Sequence, residues 1–142
     1  LDGKSIKGLH ILLAEDNELN MEIAEFMLQN EGADVTKAWN GQEAVELFEK
    51  SRAGEFDVIL MDIMMPVMNG YDATKTIRSL DREDAKEVPI IAMTANAFTE
   101  DRIRAKEAGM DEHIAKPVDA KLLVKVIHKL VDWRKILSEG DS

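Results

Sequence analysis

Short apolar runs alternate with amphipathic helical patterns five times along this chain, in units of about 20 to 30 residues, the rhythm of a parallel sheet whose strands are joined by crossover helices. The strands are expected near Leu9 to Ala14, Asp34 to Ala38, Phe56 to Met61, Pro89 to Thr94 and His113 to Ala115. The central ones are apolar without strict alternation, as strands covered on both faces must be. The first helix is expected from about Asn17, a good cap, to Asn30, with Gly32 as its stop and Ile23, Met27 and Asn30 on one side. A second begins after Gly41 and turns Ala44, Val45 and Phe48 inward. A third starts at Gly70 with Ala73, Thr74 and Ile77 on one face, and a fourth lies between Ala97 and Ala108. The last begins at Asp119 and carries Leu122, Leu123, Val126, Ile127, Leu130 and Val131 as a wide apolar stripe. The pattern predicts an α/β fold with a doubly wound, five-stranded parallel sheet.

At 142 residues the chain fits a single domain. A formal charge of −10 argues against a nucleic-acid backbone as partner, since such proteins concentrate Lys and Arg. No apolar stretch approaches the roughly 18 to 20 residues that span a bilayer. Cysteine is absent, which excludes thiolate metal sites and fits a reducing, cytoplasmic setting. The start at Leu1 suggests a piece of a longer polypeptide or a removed initiator. The domain is expected over residues 8–134, with 1–7 and 135–142 as flexible ends or linker remnants.

Chemistry gathers at the strand ends. Asp62 closes the third apolar run, Glu15 and Asp16 close the first, and Thr94 and Lys116 close the fourth and fifth. The carboxyl ends of strands in an open α/β sheet line the ligand crevice, so these residues are expected to converge. Three neighbouring carboxylates repel one another unless a cation sits among them, and a hard ion such as magnesium takes carboxylates plus a phosphate oxygen. Asp62 can attack phosphorus to give an acyl phosphate. The Lys116 ammonium and the Thr94 hydroxyl would then neutralise the phosphoryl oxygens. Singly, each residue has an ordinary explanation as a cap or solvated turn residue. Their appearance in order, each at the end of a separate strand, is what points to a site.

Four motifs carry a resemblance: Leu12-Leu-Ala-Glu-Asp-Asn17, Val58-Ile-Leu-Met-Asp-Ile-Met-Met-Pro-Val-Met-Asn-Gly70, Ile90-Ile-Ala-Met-Thr-Ala-Asn-Ala97, and Ala108-Gly-Met-Asp111 followed by Ala115-Lys-Pro-Val118. Over about residues 8 to 132 the chain resembles the receiver domain of two-component response regulators. The resemblance implies a flavodoxin-like sheet of order 2-1-3-4-5 with five helices. It implies Asp62 as acceptor of a phosphoryl group from a kinase phosphohistidine. Mg2+ would be held by Asp16, by Glu15 directly or through water, by Asp62 and by the Met64 carbonyl. Thr94 would be the switch hydroxyl, assisted by the Ala95 backbone N–H, and Lys116 would pair with the phosphoryl oxygens. It also implies a cis peptide before Pro117. His113 stands where many relatives carry an aromatic switch residue, and Glu15 stands where Asp is commoner.

The motif style looks most like receivers of hybrid sensor histidine kinases, whose partners are a sensor histidine kinase and a histidine phosphotransfer domain, commonly docked through the first helix. Dimerisation on phosphorylation, through the face of the fourth and fifth helices, stays open. So does a stand-alone single-domain regulator. A receiver is a phosphoacceptor with slow self-catalysed dephosphorylation; the rival is a magnesium-dependent aspartyl-phosphate phosphohydrolase. That chemistry usually needs an acid two residues after the nucleophile, where Met64 stands. A fold that only docks is a third alternative. His10 and His128 read as strand and helix residues rather than phosphorylated histidines. Trp133, Ile136 and Leu137 read either as an exposed linker surface or as a helix end folded back.

Overall fold

The computed structural model describes residues 5–95 and 99–140, with the side chains of residues 99 and 132–140 outside that description. Five strands, β1 (His10–Ala14), β2 (Asp34–Ala38), β3 (Val58–Asp62), β4 (Ile90–Thr94) and β5 (Glu112–Ala115), pair in parallel in the order β2-β1-β3-β4-β5. The register sets Leu12 beside Ile59 and Met61 beside Ala92. Six helices are described: α1 (Glu18–Asn30), α2 (Gly41–Lys50), α3 (Gly70–Arg78), α4 (Glu83–Glu87), α5 (Thr99–Ala108) and α6 (Ala120–Gly140).

Every residue of β3 and β4 is buried, which explains their unbroken apolar character. Successive side chains alternate between two cores. Ile11, Leu13, Leu60 and Met93 meet Met21, Ala24 and Leu28 of α1 and Leu123 and Ile127 of α6. Leu12, Ile59, Met61 and Ala92 meet Ala44 and Phe48 of α2 and Ala73 and Ile77 of α3. Because β1 sits between β2 and β3, the chain reverses its winding there, and the crevice opens at the carboxyl ends of β1 and β3.

Three asparagines start the helices that leave this rim. Asn17, Asn40 and Asn69 each accept, through Oδ1, the backbone N–H three residues on, at 2.9, 2.8 and 2.9 Å. Each such cap contributes about 1 kcal/mol. Asp119 caps α6 through Oδ1, accepting the Lys121 N–H two residues on at 2.9 Å and the Leu122 N–H at 3.4 Å.

Several expectations are corrected. Helix α1 turns Met21, Ala24 and Leu28 to the sheet and leaves Ile23 and Asn30 outside, because it carries two apolar stripes and only one can face the core. Leu122 likewise faces outward on α6. Ile6, expected in a flexible end, is fully buried beside the α1 and α6 core, anchored by a turn in which the Leu9 N–H donates to the Ile6 carbonyl at 3.1 Å. Helix α6 continues to Gly140, through residues expected to be linker. The short α4 raises the helix number from the five expected to six. Arg82, before its first turn, binds Asp84 at 2.7 Å and the Phe48 carbonyl at 2.8 Å, pinning it to α2. The expected helix start at Ala97, residues 1–4 and 141–142, and the side chains of Trp133, Ile136 and Leu137 lie outside the described residues. Among those described, no helix is long and apolar enough to cross a membrane.

Candidate functional site

Asp62 is the last residue of β3 and only 3% exposed, so its carboxylate stands at the floor of the crevice. The chain then turns back tightly. The Gly70 N–H donates to the Ile63 carbonyl at 2.9 Å, and a Cβ at Gly70 would collide with the Asp62 carbonyl oxygen. A glycine is thus required for α3 to begin directly beneath the acid. Between them Val67 takes φ 68°, uncommon for a β-branched residue, as the Met68 N–H closes onto the Pro66 carbonyl at 2.7 Å.

Glu15, one residue past β1, is also buried, while Asp16 is exposed. Lys116 joins the two buried acids. Its Nζ lies 2.9 Å from Glu15 Oε1 and 2.9 Å from Asp62 Oδ2. The Lys116 backbone N–H donates to the Thr94 carbonyl at 2.8 Å, and a cis bond joins Lys116 to Pro117. Glu15 Oε2 accepts the Asn17 N–H at 3.1 Å, and the Met64 N–H approaches Asp62 Oδ1 at 3.4 Å.

One ammonium shared by two buried carboxylates leaves the acids unequal. Burial pushes the Asp62 carboxyl up to about 7; the Lys116 hydrogen bond opposes this and the Glu15 charge adds to it. For Glu15 burial also pushes upward, but the Lys116 hydrogen bond and the Asn17 N–H outweigh it, and its carboxyl ends below the ordinary value. Burial works against the Lys116 charge, yet its hydrogen bonds to Glu15 and Asp62 leave its pKa raised.

The crevice is a cleft of about 490 Å3 that Glu15, Asp16, Asp62, Met64, Thr94, Ala95 and Lys116 all line. Carboxylate oxygens of Glu15, Asp16 and Asp62 fall within 4.8 Å of one another. An all-oxygen donor set at this spacing, open to solvent on one side, fits a hard divalent ion that keeps some of its waters. A buried carboxylate beside a half-buried ammonium and a hydroxyl has the parts that phosphoryl chemistry needs.

His113 is not among the residues lining this cleft. It sits half-buried on β5, where its Nε2 accepts the Arg102 Nε–H at 2.9 Å. Conversely, Tyr71, Asp101 and Arg104 line the cleft and were not singled out from the sequence. Asp101 and Arg104 lie in a charged helical run that reads as a solvated face. Tyr71, directly after Gly70, carried the one usable signal.

A family model described as the response regulator receiver domain matches residues 11–128. Histidine kinase 1 of Arabidopsis thaliana is 37% identical over 92% of the chain, which covers 14% of that protein. Hybrid signal transduction histidine kinase M of Dictyostelium discoideum is 43% identical over 85% of the chain, covering 5% of that protein. The chain therefore spans only a small part of these curated relatives. Among solved structures, the receiver domain of the Pseudomonas aeruginosa sensor histidine kinase PA1611, which has a magnesium ion coordinated in its active-site cleft, matches with TM-score 0.79 and 41% identity over 88% of this chain and 98% of that one. The Vibrio cholerae chemotaxis protein CheY4 matches with TM-score 0.79 and 28% identity over 87% of this chain and 98% of that one.

Proposed function

The chain belongs to the response regulator receiver domain family of two-component signalling, and from that premise we propose that it accepts a phosphoryl group from a kinase phosphohistidine onto Asp62 with magnesium as cofactor. The single observation that carries this reading is the convergence of Glu15, Asp16 and Asp62 on one cleft with Lys116 bridging the two buried acids. When bound, magnesium would supply positive charge against the phosphoryl oxygens. Asp16, Asp62 and the Met64 carbonyl would hold it, with Glu15 directly or through water.

The chain's own residues would do the rest. An Asp62 carboxylate oxygen attacks phosphorus while the donor's nitrogen leaves. Lys116 moves its ammonium from the carboxylates to the new oxygens, and the Thr94 hydroxyl and Ala95 N–H donate to them. Movement of Thr94 towards the phosphoryl group would couple the site to His113 and the α5 to β5 face.

The receiver module on this reading takes in Ile6 at its start and α6 at its end, and acts in the cytoplasm within a hybrid histidine kinase. Its partners are the kinase and a histidine phosphotransfer domain. An apolar patch supports the docking side of the proposal: Leu19, Ile23 and Phe26, at i, i+4 and i+7 on α1, are 63%, 46% and 70% exposed and neighbour Glu18, Glu22 and Glu25. Met64, exposed and unable to transfer protons, argues against a phosphohydrolase with turnover.

The test is intact mass after incubation with magnesium and acetyl phosphate. One phosphoryl group on the wild type, absent from Asp62→Asn and from reactions with chelator, is expected. Steady phosphate release without an adduct would favour the hydrolase, and an unlabelled wild type would leave only a docking role.

A further inference from the structure

The cleft has a second wall that the proposed chemistry leaves unused. Tyr71, at the start of α3, is 4% exposed and lines the cleft, and among the described residues its hydroxyl makes no hydrogen bond of ordinary length, Asp101 being the nearest charged neighbour. A buried hydroxyl without a good partner is costly, so its presence in a cleft wall points to a ligand that completes it. Burial raises its pKa, the Asp101 charge and a long side-chain approach to Asp101 add to this and Arg104 opposes, so the phenol keeps its proton and remains a donor.

Arg104, from α5, lines the same cleft and lays its guanidinium over the Tyr71 ring, 4.3 Å from the centroid. Among the described residues it has no carboxylate within salt-bridge distance. Stacking seats a guanidinium by its face and leaves the N–H groups of its edge free, the arrangement that binds two oxygens of a phosphoryl group. Charge gives the arm a purpose. Among the described residues the cleft is lined by Glu15, Asp16, Asp62 and Asp101 but only two cations, and Lys116 is already held by Glu15 and Asp62. An anionic donor entering this acidic crevice meets Arg104 as the cation not yet engaged by a carboxylate.

We propose that Arg104 and Tyr71 form an anion-capturing subsite that seats the dianionic phosphoryl group of the donor before its transfer to Asp62. The inference rests on the phosphoacceptor reading. In the step it serves, the Asp62 oxygen–phosphorus bond forms as the bond from phosphorus to the donor breaks. With acetyl phosphate the electron pair leaves on acetate; with phosphoramidate, whose nitrogen already carries three protons near neutral pH, it leaves on nitrogen as ammonia.

The experiment measures second-order labelling rates, by intact mass in magnesium, for acetyl phosphate and phosphoramidate, both of which present a dianionic PO3 group near neutral pH, with and without guanidinium ion at a non-denaturing concentration. Arg104→Ala is expected to slow both donors about tenfold and to recover about threefold or more with guanidinium, with Arg104→Lys in between. Tyr71→Phe, which keeps the ring that seats the guanidinium, should slow both donors about threefold. A purely structural role would give a loss that added guanidinium does not rescue. A loss in Arg104→Ala that guanidinium does not rescue, or rates matching wild type in both Arg104→Ala and Tyr71→Phe, overturns the subsite while leaving the acceptor reading intact. A wild type that takes no phosphoryl group from either donor overturns both.

Discussion

Replacing Asp62 with Asn should stabilise the metal-free protein at neutral pH. The Asp62 carboxyl, ordinarily near 3.8, is raised to about 7, with burial the largest cause and the charge of Glu15 adding to it against Lys116. A carboxyl raised on folding binds its proton more tightly in the folded state, so stability is greatest below 3.8 and is lost as pH rises through about 7. At about 1.4 kcal/mol per tenfold change in acidity, the penalty at pH 8 is capped near 4 kcal/mol. The cleft opens to water and Lys116 offsets part of the charge, which brings the expected value to about 1–3 kcal/mol. Urea unfolding of wild type and Asp62→Asn in chelator, at pH 5 and pH 8, reads the difference directly. The gain from Asn should be small at pH 5 and grow to that range at pH 8. On the proposed reading magnesium stabilises the ionised form and narrows the gap. A stability difference that stays constant with pH, or a variant less stable at pH 8, would refute the electrostatic account.

Arg78 donates to the Gly109 carbonyl at 3.0 and 2.9 Å, to Ala85 at 3.1 Å and to Asp111 at 3.0 Å, so Arg78→Met should cost about 2–4 kcal/mol in urea unfolding and Arg78→Lys should not restore it. Asp84 is held below its ordinary value chiefly by the Arg82 hydrogen bond, against burial. Its contribution is present above its unfolded value and lost as pH falls through the lower folded one, so Asp84→Asn should cost about 1 kcal/mol at pH 7 and nothing in strong acid. Gly70→Ala should prevent folding or cost more than about 3 kcal/mol by circular dichroism, because the added methyl meets the Asp62 carbonyl.

The sheet was legible wherever two-sided burial forces a signature: β3 and β4, covered on both faces, read as unbroken apolar runs ending in the polar residues of the cleft. The convergence of Glu15, Asp16, Asp62, Thr94 and Lys116 followed because parallel strands bring all their carboxyl ends to one rim. Helix α1 was harder, since Leu19, Met21, Ile23, Ala24, Phe26 and Leu28 supply apolar residues to two faces and periodicity alone does not choose between them. Ile6 was missed because a single apolar residue in a polar end has no periodic partner, and α4 because one turn carries too little pattern. Arg104 was hidden for a different reason: a cation on a charged helix looks solvated until Tyr71, 33 residues earlier, is known to lie beneath it.

The central claim is that one carboxylate holds phosphorus covalently, and borohydride reduction tests it at the atom concerned. Treating the magnesium- and acetyl phosphate-labelled chain with borohydride should convert the acyl phosphate to homoserine, and peptide sequencing should find that conversion at position 62 alone. Homoserine at another aspartate, or an unaltered Asp62 in a chain that carries the label, would contradict the account.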